Sequence, residues 1–455
     1  MNKTAAWMGF ALLAAIAGLA TLFLSPILAK NVVFVAGIPF AAMVVLVMFL
    51  NFEWMMFLIL MTRALLDPVL NLTKLKGGAG MGGLLNLFVI LLVASLALRF
   101  PRRLFEGNVL AKRWAVFLAI AALSVTYSPL PVGAFKLLLN LTTYMCMALL
   151  PYLLVRDEAD KRYWIKVLLA ASVLPVLLAD VGMVTRHPAL HGVERLKGTF
   201  THPNILAFYL VFVIALVFYA FKARFLRLGA AAKVALGFYL VNIFVLLLAT
   251  KTRSAWISCW AFFLIYGLLR ERKYLFWGLL LPTLLYFSPP VQERMKDLST
   301  GTGAIESQQL NSMAWRVRLW GDSVPEVAKR PVLGHGLGSF EFLSPGFFSL
   351  DRKRGAPAHN IYVELLFELG VIGLVAYLAV YWHFLAMLVG RMRSHVPVVS
   401  MEATILFAYV LSYMIVGYSD NMLYYLSFNW YFWFLVGLMA RSFVLPQRDR
   451  RKDGA

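Results

Sequence analysis

Apolar residues in this chain come in unbroken runs, without the three-to-four spacing of a surface helix or the alternation of a half-buried strand. Broken at charged or Gly/Pro clusters, the runs fall at about 5–28, 32–50, 53–70, 83–99, 113–128, 134–155, 162–181, 204–221, 233–250, 254–269, 273–288, 360–389, 401–419 and 423–443. Most approach the ~20 residues that carry an α-helix across a bilayer. Lipid satisfies no backbone polar groups, and a closed barrel would read as alternating strands of about 10 residues. The pattern therefore predicts an all-α, polytopic transmembrane helical bundle. The segments 32–50 and 53–70 also read as a re-entrant pair, so the count is twelve or fourteen spans.

Composition agrees: 61% of the 455 residues are hydrophobic and 14% charged, with a mean hydropathy of +0.77. That is more apolar surface than a soluble core can hide. Cys146 and Cys259 sit inside apolar runs, so no disulfide framework is expected. The first run follows Lys3 and lacks a small-x-small cleavage site, which reads as a retained span instead of a signal peptide.

A net charge of +21 raises nucleic acid as a partner, but the basic residues are scattered in short clusters between the runs. Topology accounts for them. With Met1 cytoplasmic, alternate connections collect Arg99 to Arg113, Arg156 to Arg162, Lys222 to Lys233, Arg270 to Lys273, and Arg391 with Arg393. A basic tail at 444–455 joins them, so the positive-inside rule places both termini in the cytoplasm. The chain reads as a single membrane domain, 1–455. Its external pieces are 182–203, the Lys251-Thr252-Arg253 corner, the long loop 289–358 and the Asp420-Asn421 corner. A loop of that length predicts a lid or binding element. Within it, Asn311 or Ser312 is placed to cap a helix through Ala328, whose stripe of Trp315, Leu319 and Trp320 suits a membrane surface.

The external face carries the candidate chemistry. In Pro357-Ala358-His359-Asn360, the imidazole begins a helix, where the dipole favours the neutral, proton-accepting form. Arg195, Arg253 and Arg316, with Arg318 as an alternative to the last, lie where idle arginines are costly. Guanidiniums there suit a lipid-linked phosphate or diphosphate, although snorkelling to headgroups is the plainer account of any one of them. Asn360 and Asn204 are secondary candidates, and His335, in Gly334-His335-Gly336-Leu337-Gly338, is a rival base. That glycine run lacks the strand-then-helix setting of a nucleotide loop and reads as tight turns. His187, His191 and His202 cluster near one external loop without metal-ligand spacing, and no Asp-x-Asp occurs. Neither a metal nor another cofactor is expected.

Gly198-Thr199-Phe200 with Pro203-Asn204, Thr252-Arg253-Ser254, Arg316 with Trp320, Pro331 with Gly334, Gly336, Gly338 and Phe340, and His359-Asn360 with Gly370 and Gly373 occur in that order. Over roughly residues 195–375 the series resembles the O-antigen ligase and polymerase family. Thr252 departs from the serine expected there and keeps the hydroxyl.

The resemblance implies a glycosyltransferase at the periplasmic face of a bacterial inner membrane. Its donor would be an undecaprenyl-pyrophosphate-linked glycan and its acceptor, for a ligase, lipid A-core, both reached from the membrane lipids. His359 matches the family's essential histidine, and Arg195, Arg253 and Arg316 the arginines near the pyrophosphate. A polymerase would take a second undecaprenyl-linked glycan as acceptor, and a protein O-oligosaccharyltransferase Ser or Thr. A transporter or flippase would share the apolar bundle but spread its polar residues along a path.

Overall fold

The computed structural model describes residues 52–72, 81–105, 108–192, 195–223, 229–286, 312–348, 350 and 354–445. The expected spans 5–28 and 32–50, the loop residues 289–311 and most of the basic tail lie outside the described residues. Among those described, the chain is an all-α bundle with no strand beyond an isolated bridge between His191 and Leu196. Among the described residues, seven helices are long and apolar enough to cross a membrane: Gly82–Arg99, Pro131–Leu154, Glu158–Thr185, Pro203–Lys222, Ala230–Ala249, Ile361–Met392 and Pro397–Val416. Arg253–Leu269 is a shorter apolar helix, and Val109–Val125, Arg272–Tyr286 and Leu426–Val444 fill three more expected runs.

Hydropathy alone does not rank these helices by depth. The helix beginning at Pro203 is 89% buried over its apolar window, whereas Ala230–Ala249, of similar hydropathy, is only 17% buried. The first is walled by protein and the second turns its residues outward, as lipid permits. Aromatic rings fill the interior; Trp114 meets Trp433 edge-on at 4.8 Å.

The expected span 53–70 is interrupted. It forms Phe52–Arg63 and, after a turn, Asp67–Leu72. Arg63 and Asp67 form a buried ion pair at 3.0 Å across that turn, and the Arg63 guanidinium lies 5.2 Å from the Trp430 ring. Twelve residues rise about 18 Å, too little to cross alone.

One end of the bundle gathers the connections expected to be external; we call it the outer end. There the Leu196 amide donates to Ala249 and the Ile361 amide to Gly417. The opposite end holds a charged core. Lys161 bonds Glu402 at 2.8 Å and Glu158 at 2.7 Å, and the Tyr219 hydroxyl donates to Glu402 at 2.7 Å.

The described part of the long loop contains Ser312–Lys329 and a second helix, Ser339–Phe347. The apolar stripe of the first does not serve a membrane surface. Leu319 is fully buried and joins Phe340, Phe348, Ala356, Ala358 and Phe367 in a small core of their own, so the stripe is spent on protein.

Candidate active site

Arg195 reaches the outer end through a tight loop. Gly198 adopts φ +54 and its amide donates to Leu190 at 2.8 Å. The Thr199 hydroxyl donates to Ala64 at 2.8 Å, at the turn that interrupts 53–70, and Phe200 is fully buried. The loop so anchored directs the Arg195 guanidinium to three neutral acceptors: Thr250 O at 2.9 Å, Asn204 Oδ1 at 2.6 Å and Thr252 Oγ1 at 2.7 Å.

Asn204 links this arginine to a carboxylate. Its Nδ2 donates to Asp420 Oδ2 at 3.1 Å and to the Tyr425 hydroxyl at 3.1 Å. Asp420 is 1% exposed. Its Oδ2 also accepts from the Ser254 hydroxyl at 2.7 Å, and its Oδ1 accepts from the Asn421 amide at 2.9 Å and the Tyr425 hydroxyl. Arg253 opens the helix Arg253–Leu269. Of its neighbours in sequence, Thr252 is bound by Arg195 and Ser254 by Asp420, which sets the Arg253 backbone beside the cluster. Arg316 joins from Ser312–Lys329, donating to Ser419 O at 2.7 Å. Arg318 does not: it is 61% exposed and pairs with Asp322 at 3.0 Å.

His359 is held between two pinned neighbours. The Trp320 indole donates to Ala358 O at 2.7 Å. Asn360, 1% exposed, caps the following helix, its Oδ1 accepting from the Tyr362 and Val363 amides at 2.9 and 3.2 Å. Between them His359 takes φ +49, the left-handed region that costs a residue with a Cβ ~1–2 kcal/mol. Its Nδ1 is buried and makes no hydrogen bond within the protein. Burial holds the imidazole below its ordinary pKa; Arg316 adds to that shift, Asp420 opposes it and His202 adds to it. The neutral form is thus favoured, with desolvation as the leading cause where the sequence suggested the helix dipole.

The glycine run does something other than cradle phosphate. At Gly370, with φ +64 and ψ −170, the helix Ile361–Met392 is broken. The carbonyls of Phe367 and Glu368 accept from His335 and Gly336 at 2.9 and 2.8 Å, and the amides of Val371 and Ile372 donate to Pro331 and Val332 at 2.9 and 3.4 Å. These four backbone groups beside the break find partners in the loop. A Cβ on Gly334 would lie 2.4 Å from the Glu368 carbonyl carbon, and one on Gly370 2.2 Å from Val332 O, so the contact admits only glycine. Glu368 continues the interlock, its carboxylate accepting from the Gly338 and Phe340 amides at 2.8 and 3.1 Å. His335 stacks on Phe367 at 4.6 Å and bonds Glu326 O through Nε2 at 2.9 Å.

The structure therefore brings together Arg195, Asn204, Arg316 and His359, sets the Arg253 backbone beside them, and leaves Arg318 outside. The external histidines do not converge: His187 Nδ1 accepts the Ala189 amide at 3.2 Å, and His191 Nδ1 contacts Gly192 O at 2.6 Å. Among the described residues no three His, Cys, Asp or Glu side chains are grouped to hold a metal. Sequence reasoning assigned no role to Asp420, Ser254 or Tyr425. The available signal was an acid at the corner between two spans, where a buried charge is costly unless bonded.

No curated protein matches this sequence. The stretch that carries Arg253, Arg316, His359 and the glycine interlock, residues 238–378, matches the sequence model of the O-antigen ligase family, the family whose motif order the chain resembles.

Proposed function

We propose that the chain transfers an O-antigen glycan from undecaprenyl pyrophosphate to a sugar hydroxyl of lipid A-core. The site would face the periplasm of a bacterial inner membrane, as the distribution of basic residues favours. The observation that carries the reading is the meeting of Arg195, Arg316 and a histidine whose neutral form is favoured around the Asp420 corner.

The step is a displacement at the donor's anomeric carbon. His359 takes the proton of the acceptor hydroxyl as its oxygen bonds to that carbon. The bond from the carbon to the phosphate oxygen breaks, and undecaprenyl pyrophosphate leaves with the electron pair. Arg195, Arg253 and Arg316 face the growing negative charge. Fixed positive charge of this kind stabilises a leaving anion without reorganising during the reaction, so the mechanism calls on no metal. A single displacement inverts the anomeric centre.

The test uses purified protein in vesicles with undecaprenyl-pyrophosphate-linked glycan. Lipid A-core and a second undecaprenyl-linked glycan are offered as acceptors in separate reactions. Consumption of lipid A-core is expected; consumption of the second glycan alone would make the protein a polymerase. Chelator is expected to leave the rate unchanged, and inhibition reversed by Mg²⁺ would overturn the metal-free step.

A further inference from the structure

The outer end holds a second imidazole without a task in that mechanism. His202 precedes Pro203, the first residue of Pro203–Ala223, and its Nδ1 accepts the Asn204 backbone N–H at 3.1 Å. A ring nitrogen that accepts a hydrogen bond carries no proton, so the neutral ring bears its hydrogen on Nε2. In that state neither nitrogen is a base: one lone pair is committed and the other nitrogen is protonated. His202 can act on a ligand only as a donor.

Its setting suits an anion. The amide that fixes the ring belongs to Asn204, whose side chain bonds both Arg195 and Asp420, so the orientation of the imidazole is tied to the hub of the cluster. The residue is partly exposed. The charged and titratable groups that act on it are Arg195 and Asp420, and it acts in turn on His359. Partial burial and Arg195 hold its pKa below the ordinary value against the opposing carboxylate, which agrees with the single-proton tautomer read from the hydrogen bond.

We propose that His202 is a substrate-binding residue whose Nε2–H donates a hydrogen bond to a non-bridging oxygen of the donor's diphosphate. The inference rests on the glycosyltransferase reading above. It divides two imidazoles by role: His359 accepts a proton from the acceptor hydroxyl, while His202 donates to the leaving group and exchanges no proton.

The alternative is a purely structural imidazole that starts a helix, and His202→Asn separates the two. An asparagine oxygen accepts the amide two residues on, as in an Asx turn, so the helix start survives while the Nε2–H is lost. In the vesicle assay with the full chain, initial rates are measured with inorganic pyrophosphate as inhibitor. His202→Asn is expected to weaken pyrophosphate inhibition, and to lower kcat/KM for the donor, by about ten- to a hundredfold. The acceptor KM and the melting temperature stay at wild-type values. A His202→Asn protein that matches wild type in pyrophosphate inhibition and donor kcat/KM overturns the inference. A wild-type protein that neither transfers from a diphosphate-linked donor nor responds to pyrophosphate overturns the parent reading as well, and is recognised before any variant is made.

Discussion

At the opposite end of the bundle charge is set against charge: Lys161, 2% exposed, lies between Glu402 and Glu158 at 2.8 and 2.7 Å. In the outer-end cluster around Asp420, charge is held mostly by dipoles. Asp420 takes its bonds from an amide side chain, two hydroxyls and a backbone N–H, and Arg316 is oriented by a carbonyl. A buried ion pair cancels its own field, and removing one partner leaves an uncompensated charge. A charge oriented by neutral groups keeps most of its field for a third party, which is what a site for an anionic leaving group requires. The first arrangement suits stability, and the second suits the anionic leaving group of the proposed reaction.

Substitutions at the two ends should then fail in different ways. His359→Ala is expected to lower transfer by about a thousandfold, within the range for loss of a general base, with melting temperature unchanged. His359→Gly also relieves the left-handed backbone and should melt no lower than wild type while losing transfer to the same extent. Near-normal turnover in either would remove the imidazole from the reaction. Glu402→Ala should do the reverse, costing about 3 kcal/mol of stability in a detergent melt while the surviving folded protein keeps its kcat.

Arg316→Gln is expected to slow transfer about a hundredfold and to move the pH profile. Activity that needs a neutral His359 falls as pH drops through its pKa, which lies below the usual value partly because Arg316 is near. Without that positive charge the pKa rises, so the acid limb of log kcat/KM against pH should shift to higher pH; no shift would disconnect the two residues. Arg318→Gln should alter the rate less than twofold, since its exposed pair with Asp322 points to a surface role. A large loss there would redraw the site.

Much of the bundle was legible because continuous apolar runs have few solutions in lipid; the helix expected at 162–181 is found at Glu158–Thr185 and that expected at 401–419 at Pro397–Val416. The interruption of 53–70 was not read, although Arg63 and Asp67, four residues apart in an apolar run, are a pair that only partnered burial can keep. Arg195, Arg253, Arg316 and His359 were singled out from their positions on the external face, and motif order named the same residues. Asp420 escaped because its role depends on partners 216 and 166 residues away, Asn204 and Ser254, which no local pattern connects. The choice between Arg316 and Arg318 needed the helix to be docked before its faces could be told apart.

The glycine interlock also restricts how the outer end can move. Because the amides and carbonyls freed at Gly370 are shared with Pro331 to Gly336, loop and helix form one stationary wall, without a hinge at their junction. The segment Ser419 to Asn421 is fastened by backbone bonds at both ends, to Val416 and Tyr424, and by the side chains of Arg316, Asn204, Ser254 and Tyr425. Most of those side-chain bonds satisfy a buried carboxylate, so this corner too opens only at a cost.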